Sequence, residues 1–123
     1  MPLHWTIDPQ DKLITAVAEG DITRGDFEAF LNASKAAGAQ HYRKLFDGTR
    51  GTLRMASEDI MALGARMRAS HETATMGALA AVVPDGDSEA ISRVLGMLAA
   101  ADRPMRVFRQ VATARKWIAG LPR

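Results

Sequence analysis

Leu3, Trp5 and Ile7 alternate with His4, Thr6 and Asp8. A period of two predicts a half-buried strand. Asp8-Pro9-Gln10-Asp11 has the residue order of a type I turn. Leu13 to Glu19 then forms a second strand, antiparallel to the first because the connection is short. Gly20 and Asp21 end it. Thr23 opens a helix, and Asp26 adds negative charge to its first turn. Phe27, Phe30, Leu31 and Ser34 follow at helical spacing and predict the face that packs on the sheet. Gly38 stops this helix. Arg43 to Asp47 predicts a third strand, followed by loop residues through Met55.

Ser57 has the chemistry of an N-cap, with Glu58 and Asp59 behind it. The helix that it opens carries Ile60, Leu63, Gly64 and Met67 on one face and runs to about Ser70. His71 to Met76 is polar and predicts a loop. Gly77 to Val83 is apolar on both faces, as suits a central parallel strand. Pro84-Asp85-Gly86-Asp87 breaks the chain. A third helix, capped by Asp87 or Ser88, carries Ile91, Val94, Leu95 and Leu98 inward. Met105 to Arg109 predicts the last strand. Val111, Ala114, Trp117, Ile118 and Leu121 describe a closing helix, whose adjacent Trp117 and Ile118 cannot both face straight inward.

The order β-β-α-β-α-β-α-β-α predicts an α/β fold: a mixed, mostly parallel five-stranded sheet with four helices. Strands that alternate with helices require parallel, right-handed crossovers. The 123 residues suit a single domain over 1–123. Hydrophobic residues make up 47% and charged residues 24%, a globular composition. There is no cysteine, so disulfides, thiolate metal sites and a thiol nucleophile are excluded. The start MPLHWTIDPQ has no basic region followed by an apolar run, and no stretch is long enough to span a bilayer. A cytoplasmic protein is therefore expected. The net charge of +2 divides into −3 over residues 1–42 and +5 over residues 43–123. No consecutive basic cluster or interleaved aromatic appears, so a nucleic-acid partner is not expected.

This order of elements resembles the SpoIIAA-like fold shared by STAS domains, the bacterial anti-sigma-factor antagonists and the cytoplasmic domains of sulfate transporters. The resemblance rests on EGDIT at Glu19 to Thr23, LFD at Leu45 to Asp47, SEDI at Ser57 to Ile60 and VFRQVATARKWI at Val107 to Ile118. In the antagonists, an Asp-Ser-Ser-Gly motif opens the helix after that third strand, and a partner kinase phosphorylates its first serine. The resemblance places Ser57 at that position. Ala56, Glu58 and Asp59 replace the other three motif residues, so a competent phospho-switch is not expected. Two fixed carboxylates there would repel a phosphate.

In open parallel sheets, ligands gather beyond the carboxyl ends of the strands. Those positions nominate Asp47, Gly48, Thr49, Arg50, Arg54 and Ser57 as an interaction loop, with Pro84, Asp85, Arg109 and Gln110 at neighbouring strand ends. An Asp at a strand end also ties its own loop, and Gly48 and Gly51 suit loop conformations of positive φ. No phosphate-loop pattern is present. His4, His41 and His71 lie far apart without ligand spacing, so neither a metal nor a cofactor is expected. No Gly-x-Ser-x-Gly elbow is present, and no catalytic residue is nominated. Two functions remain open. One is a non-enzymatic STAS-like interaction or regulatory module that docks a protein partner, including a second copy as a homodimer. The other is a small carrier or sensor of an apolar or lipid-like ligand, with Met61 and Met67 lining the pocket. SpoIIAA-like folds are related to lipid-binding domains of the CRAL-TRIO type, which keeps the second reading in view.

Overall fold

The computed structural model describes residues 2–83 and 103–123. Five strands form one sheet in the order β1-β2-β3-β4-β5. They are β1 (Leu3–Asp8), β2 (Leu13–Ile22), β3 (Arg43–Leu53), β4 (Leu79–Val82) and β5 (Met105–Phe108). β1 is antiparallel to β2, and every later pairing is parallel. The helices are α1 (Arg24–Ala36), α2 (Ser57–Thr73) and α3 (Val111–Ala119). The architecture is the expected mixed, mostly parallel α/β sheet, with three helices among the described residues. The fourth helix, expected from Asp87 or Ser88, and the strand-end positions Pro84 and Asp85 lie outside them.

The side-chain alternation of each strand divides the core into two layers. On one face, Ile14, Ala16 and Ala18 of β2 meet Leu3, Trp5 and Ile7 of β1, together with Phe27 and Phe30 of α1 and Phe46 of β3. The other face carries Leu45, Ala80 and Val82 under Ala114 and Ile118 of α3. Leu3, Ile14, Ile22 and Val82 are the largest fully enclosed side chains, and burying each contributes about 1.5–3 kcal/mol. Ile118 is buried, while its neighbour Trp117 sits at the rim with its ring 5.6 Å from that of Phe108. Arg43 locks α3 to the first hairpin: its guanidinium donates to the carbonyls of Ile118 and Asp11, each at 2.8 Å.

Local chemistry sets most of the boundaries. Asp8 Oδ1 accepts from the amides of Gln10 and Asp11 and closes the β1–β2 turn. Thr23 and Asp26 form a reciprocal capping box at the start of α1. Gly38 takes a φ of +66°, which ends that segment.

Besides trims of one or two residues at β4 and β5, four boundaries differ from the sequence expectation. β2 runs past Glu19 to Ile22, and β3 runs past Asp47 to Leu53, because Glu19–Ile22 pairs with Arg50–Leu53 beyond an irregularity between Val17 and Glu19. The residues expected as a free loop are therefore mostly strand, in a ladder whose partner residues are remote in sequence. α2 continues through His71 to Thr73. Its cap position is Ala56, not Ser57: the Asp59 carboxylate accepts from the Ala56 amide at 3.1 Å. Among the described residues, no side chain caps the first-turn amides of α2; Asp59 satisfies only the amide of the cap residue.

Candidate functional site

The nominated residues are strung along the extended second half of β3 and the start of α2 rather than gathered in one cluster, and most of them bond to their own surroundings. Asp47 Oδ1 accepts from the Thr49 amide at 3.1 Å and from the Thr49 hydroxyl at 2.7 Å, so the carboxylate ties its own bend. Gly48 and Gly51 have no positive φ. Their requirement is space: a Cβ on Gly48 would lie 2.8 Å from the Val82 carbonyl oxygen, and one on Gly51 would lie 2.6 Å from the Ala18 methyl. Arg50 pairs with Glu19 at 3.7 Å, and Arg54 pairs with Asp21 at 3.2 Å, both on the surface. Ser57 is exposed in the first turn of α2.

A cavity of about 110 Å³ lies elsewhere, between the sheet and the α1–α2 pair. Its geometry follows from the alternation of β3 and β4. Lys44 and Phe46 of β3 point to the same face as Leu79 and Ala81 of β4, because Lys44 pairs with Leu79 and Phe46 with Ala81. Phe27 and Phe30 of α1 close one side, and Leu63 and Met67 of α2 close the other. Arg66 of α2 donates to Asn32 of α1, and Arg24 of α1 pairs with Asp59 of α2 at 3.7 Å, so polar links hold the two helices together above the space. A second cavity of about 280 Å³ adjoins it and shares Leu31, Lys44, Met67 and Met76. Met67 lines both spaces. Met61 does not: it is 57% exposed and points away from them. It follows Ile60 by one residue, a step of about 100° around the helix.

Among the described residues, the lining side chains are apolar except Lys44 and Arg103, whose stems rather than their charged atoms form its surface. Both are buried, at 5% and 8% exposure. Lys44 Nζ donates to the carbonyls of Gln40 at 2.6 Å and Tyr42 at 2.9 Å. Burial, with a smaller contribution from the charge of Arg103, pushes its pKa down to about 7. Burial also lowers that of Arg103, to about 10, which leaves it charged at neutral pH. Arg103 Nη1 lies 3.1 Å from His71 Nε2. A guanidinium only donates, so Nε2 accepts and the ring proton sits on Nδ1. Burial first, then the charges of Arg103 and Lys44, hold His71 below its ordinary pKa. Arg103 Nε and His71 Nδ1 are buried with no hydrogen-bond partner among the described residues.

Sequence reasoning missed Lys44 and Arg103. The available signal was the parity of RKLFD: Lys44 shares a face with Phe46 in a strand that is apolar on both sides. A lysine at such a position is buried, and its charge needs an account. Arg103 had no comparable signal: the His71 that it contacts is 32 residues away in sequence.

Among the described residues, no group of three or more His, Asp or Glu side chains is placed to hold a metal ion. No described helix is long and apolar enough to cross a membrane. The chain is similar in fold to an uncharacterised protein of the DUF3478 family with a SpoIIAA-like fold from Shewanella loihica. That likeness has a TM-score of 0.60 at 18% identity and covers 94% of this chain and 93% of the other. No curated protein matches the chain. The SpoIIAA-like family model matches residues 13–119, from the first residue of β2 to the last residue of α3. The strand order, the two-layered core and that match together establish that this chain belongs to the SpoIIAA-like family.

Proposed function

We propose that this chain is a non-enzymatic SpoIIAA-like regulatory module that carries or senses an apolar, lipid-like small ligand between its sheet and the α1–α2 pair. The family supports a regulatory or interaction module at the coarse level. The observation that carries the ligand reading is the cavity under α1 and α2, where Phe27, Phe30, Phe46, Leu63 and Met67 converge. Interiors are ordinarily packed to crystal density, and apolar hollows of this size accept apolar guests. The phospho-switch of the antagonists has no part in this reading, since Glu58 and Asp59 flank Ser57 with fixed negative charge. The test is native mass spectrometry of the purified protein, paired with titration of an apolar naphthylamine fluorophore. The expected result is a co-purified small molecule, or saturable probe binding that Ala81→Phe abolishes by filling the space. A protein that carries no ligand and leaves the probe unbound would refute the reading.

The docking reading keeps one supporting observation. β1 pairs with β2 only as far as Ala18, and β4 pairs with β3 only over Lys44 to Asp47. Among the described residues, Glu19–Ile22 and Arg50–Leu53 therefore extend the sheet as a two-stranded section that carries Arg50, with Arg54 directly after it and Ile22 packed into the core. Such a section offers main-chain edges to a protein partner or to a second copy. Sedimentation velocity of the purified protein tests the second-copy form.

A further inference from the structure

β1 is the outermost strand on its side of the sheet, and among the described residues it pairs with β2 alone. β4 and β5, the strands on either side of residues 84–102, lie at the other end of the sheet. One bond shows which backbone groups of β1 are left over. The Glu19 amide donates to the Pro2 carbonyl at 2.7 Å, in line with the pairing of Leu3 with Ala18. Antiparallel ladders alternate, so His4, Thr6 and Asp8 turn their backbone groups toward β2. The N–H and C=O groups of Trp5 and Ile7 point outward from the sheet edge, and neither residue's backbone bonds to another described residue there. Sheets ordinarily blunt such an edge with proline, lysine or a bulge. Leu3–Asp8 contains no proline and no lysine, and its register with β2 is unbroken. On the α1 side of the edge, Trp5 and Ile7 are only half-buried, while His4, Thr6 and Asp8 are exposed on the opposite side.

We infer that β1 docks a second copy of this chain, strand against antiparallel strand, about a two-fold axis at Thr6. The strand complements itself in that register. Trp5 bonds through its backbone with Ile7 of the second copy, and Ile7 with Trp5 of the second copy, so an aromatic ring lies beside a β-branched side chain. Thr6 meets Thr6 of the second copy on the axis. His4 meets Asp8 of the second copy, and the symmetry repeats that pair. Aromatic with β-branched, threonine with threonine, and opposite charges are the cross-strand pairs that stabilise antiparallel sheets. The threonine pair and the two His–Asp pairs fall at the closely spaced, non-hydrogen-bonded positions, where side chains are nearest. Asp8 Oδ1 is held by the amides of Gln10 and Asp11, and Oδ2 remains to accept from the imidazole. A register centred on Trp5 also matches the outward backbone groups, but it sets His4 against Thr6 and brings no opposite charges together. The inference is independent of the cavity, and it assigns the second copy to β1 rather than to the β2–β3 extension.

Sedimentation velocity of the intact chain, up to about millimolar concentration, tests this with four variants. The wild type is expected to dimerise reversibly. Ile7→Pro removes an outward N–H that β2 does not use, so it should sediment as a monomer, and a circular dichroism spectrum checks that it is folded. His4→Asp sets two carboxylates against each other at each repeated pair and should raise the dissociation constant about tenfold. His4→Lys keeps the charges opposite and should lower it. Thr52→Pro should leave this dimer intact. If Ile7→Pro does not fold, hydrogen exchange of the wild type supplies the second measurement. The Trp5 and Ile7 amides should exchange freely in dilute protein and gain protection as concentration rises, whereas those of His4 and Thr6, bonded to β2, should be protected throughout. A wild type that stays monomeric would overturn the inference. So would a dimer whose Trp5 and Ile7 amides remain unprotected. A dimer that Thr52→Pro breaks and His4→Asp leaves unchanged would overturn it too, and would move the second copy to the β2–β3 extension.

Discussion

Lys44 shows how one residue can stand at odds with its surroundings and still be held in place. Two backbone carbonyls orient its amine, and the sheet face encloses it. Its folded pKa of about 7 lies below the ordinary 10.5 of the unfolded chain. Between those values the unfolded state binds the extra proton, so stability rises with pH through that window. The expected slope is roughly 1 kcal/mol per pH unit from about pH 7 to about pH 10. Urea unfolding at several pH values checks this, and Lys44→Met should flatten the slope. His71, also held low, contributes in the same direction at lower pH. Asp47 is the opposite case: its bonds to Thr49 were legible from its place beside a bend, because they reach only two residues along the chain.

At the scale of elements, the two capped helices make a controlled pair. Thr23 and Asp26 satisfy each other's backbone groups at α1, whereas α2 has Ala56 at its cap and only the Asp59 half of a box. Thr23→Ala should cost about 1 kcal/mol. Ser57→Ala should change stability by less than about 0.5 kcal/mol, since the serine is not the cap. Ala56→Ser should gain roughly 0.5–1 kcal/mol, because its extended backbone already suits a capping hydroxyl. Thermal unfolding of the three variants checks the order. Strand lengths were less legible than helix starts. The extension of β3 to Leu53 depends on Glu19–Ile22 lying alongside, and nothing within Gly48 to Leu53 announces that partner.

For the whole molecule, the consequence of the strand order is a division of labour between faces. α3 seals one face of the sheet, with Ala114 and Ile118 against Leu45, Ala80 and Val82. α1 and α2 cover the other face and leave a hollow. If the two-stranded β2–β3 extension pairs two copies, the protein should sediment as a concentration-dependent dimer. Thr52→Pro should then return it to a monomer by introducing a residue unsuited to strand pairing. A wild type that stays monomeric up to about millimolar concentration, where even weak contacts of ~4 kcal/mol would register, would remove the homodimer form of the docking reading.

Local patterning along the chain was enough to set the class of fold, the order of the described elements, the antiparallel first hairpin and the inward stripe of α1. These follow from hydrophobic period, caps and breakers, all of which act over a few residues. The SpoIIAA-like membership was also legible, because it resides in the order and spacing of such signals. It took the folded arrangement to show that Met67 lines a cavity and Met61 does not, that Asp59 rather than Ser57 bonds at the start of α2, and that Lys44 and Arg103 border one apolar space. Each of those depends on which segments meet across the sheet, and a charge set among distant neighbours leaves no periodic trace in the chain.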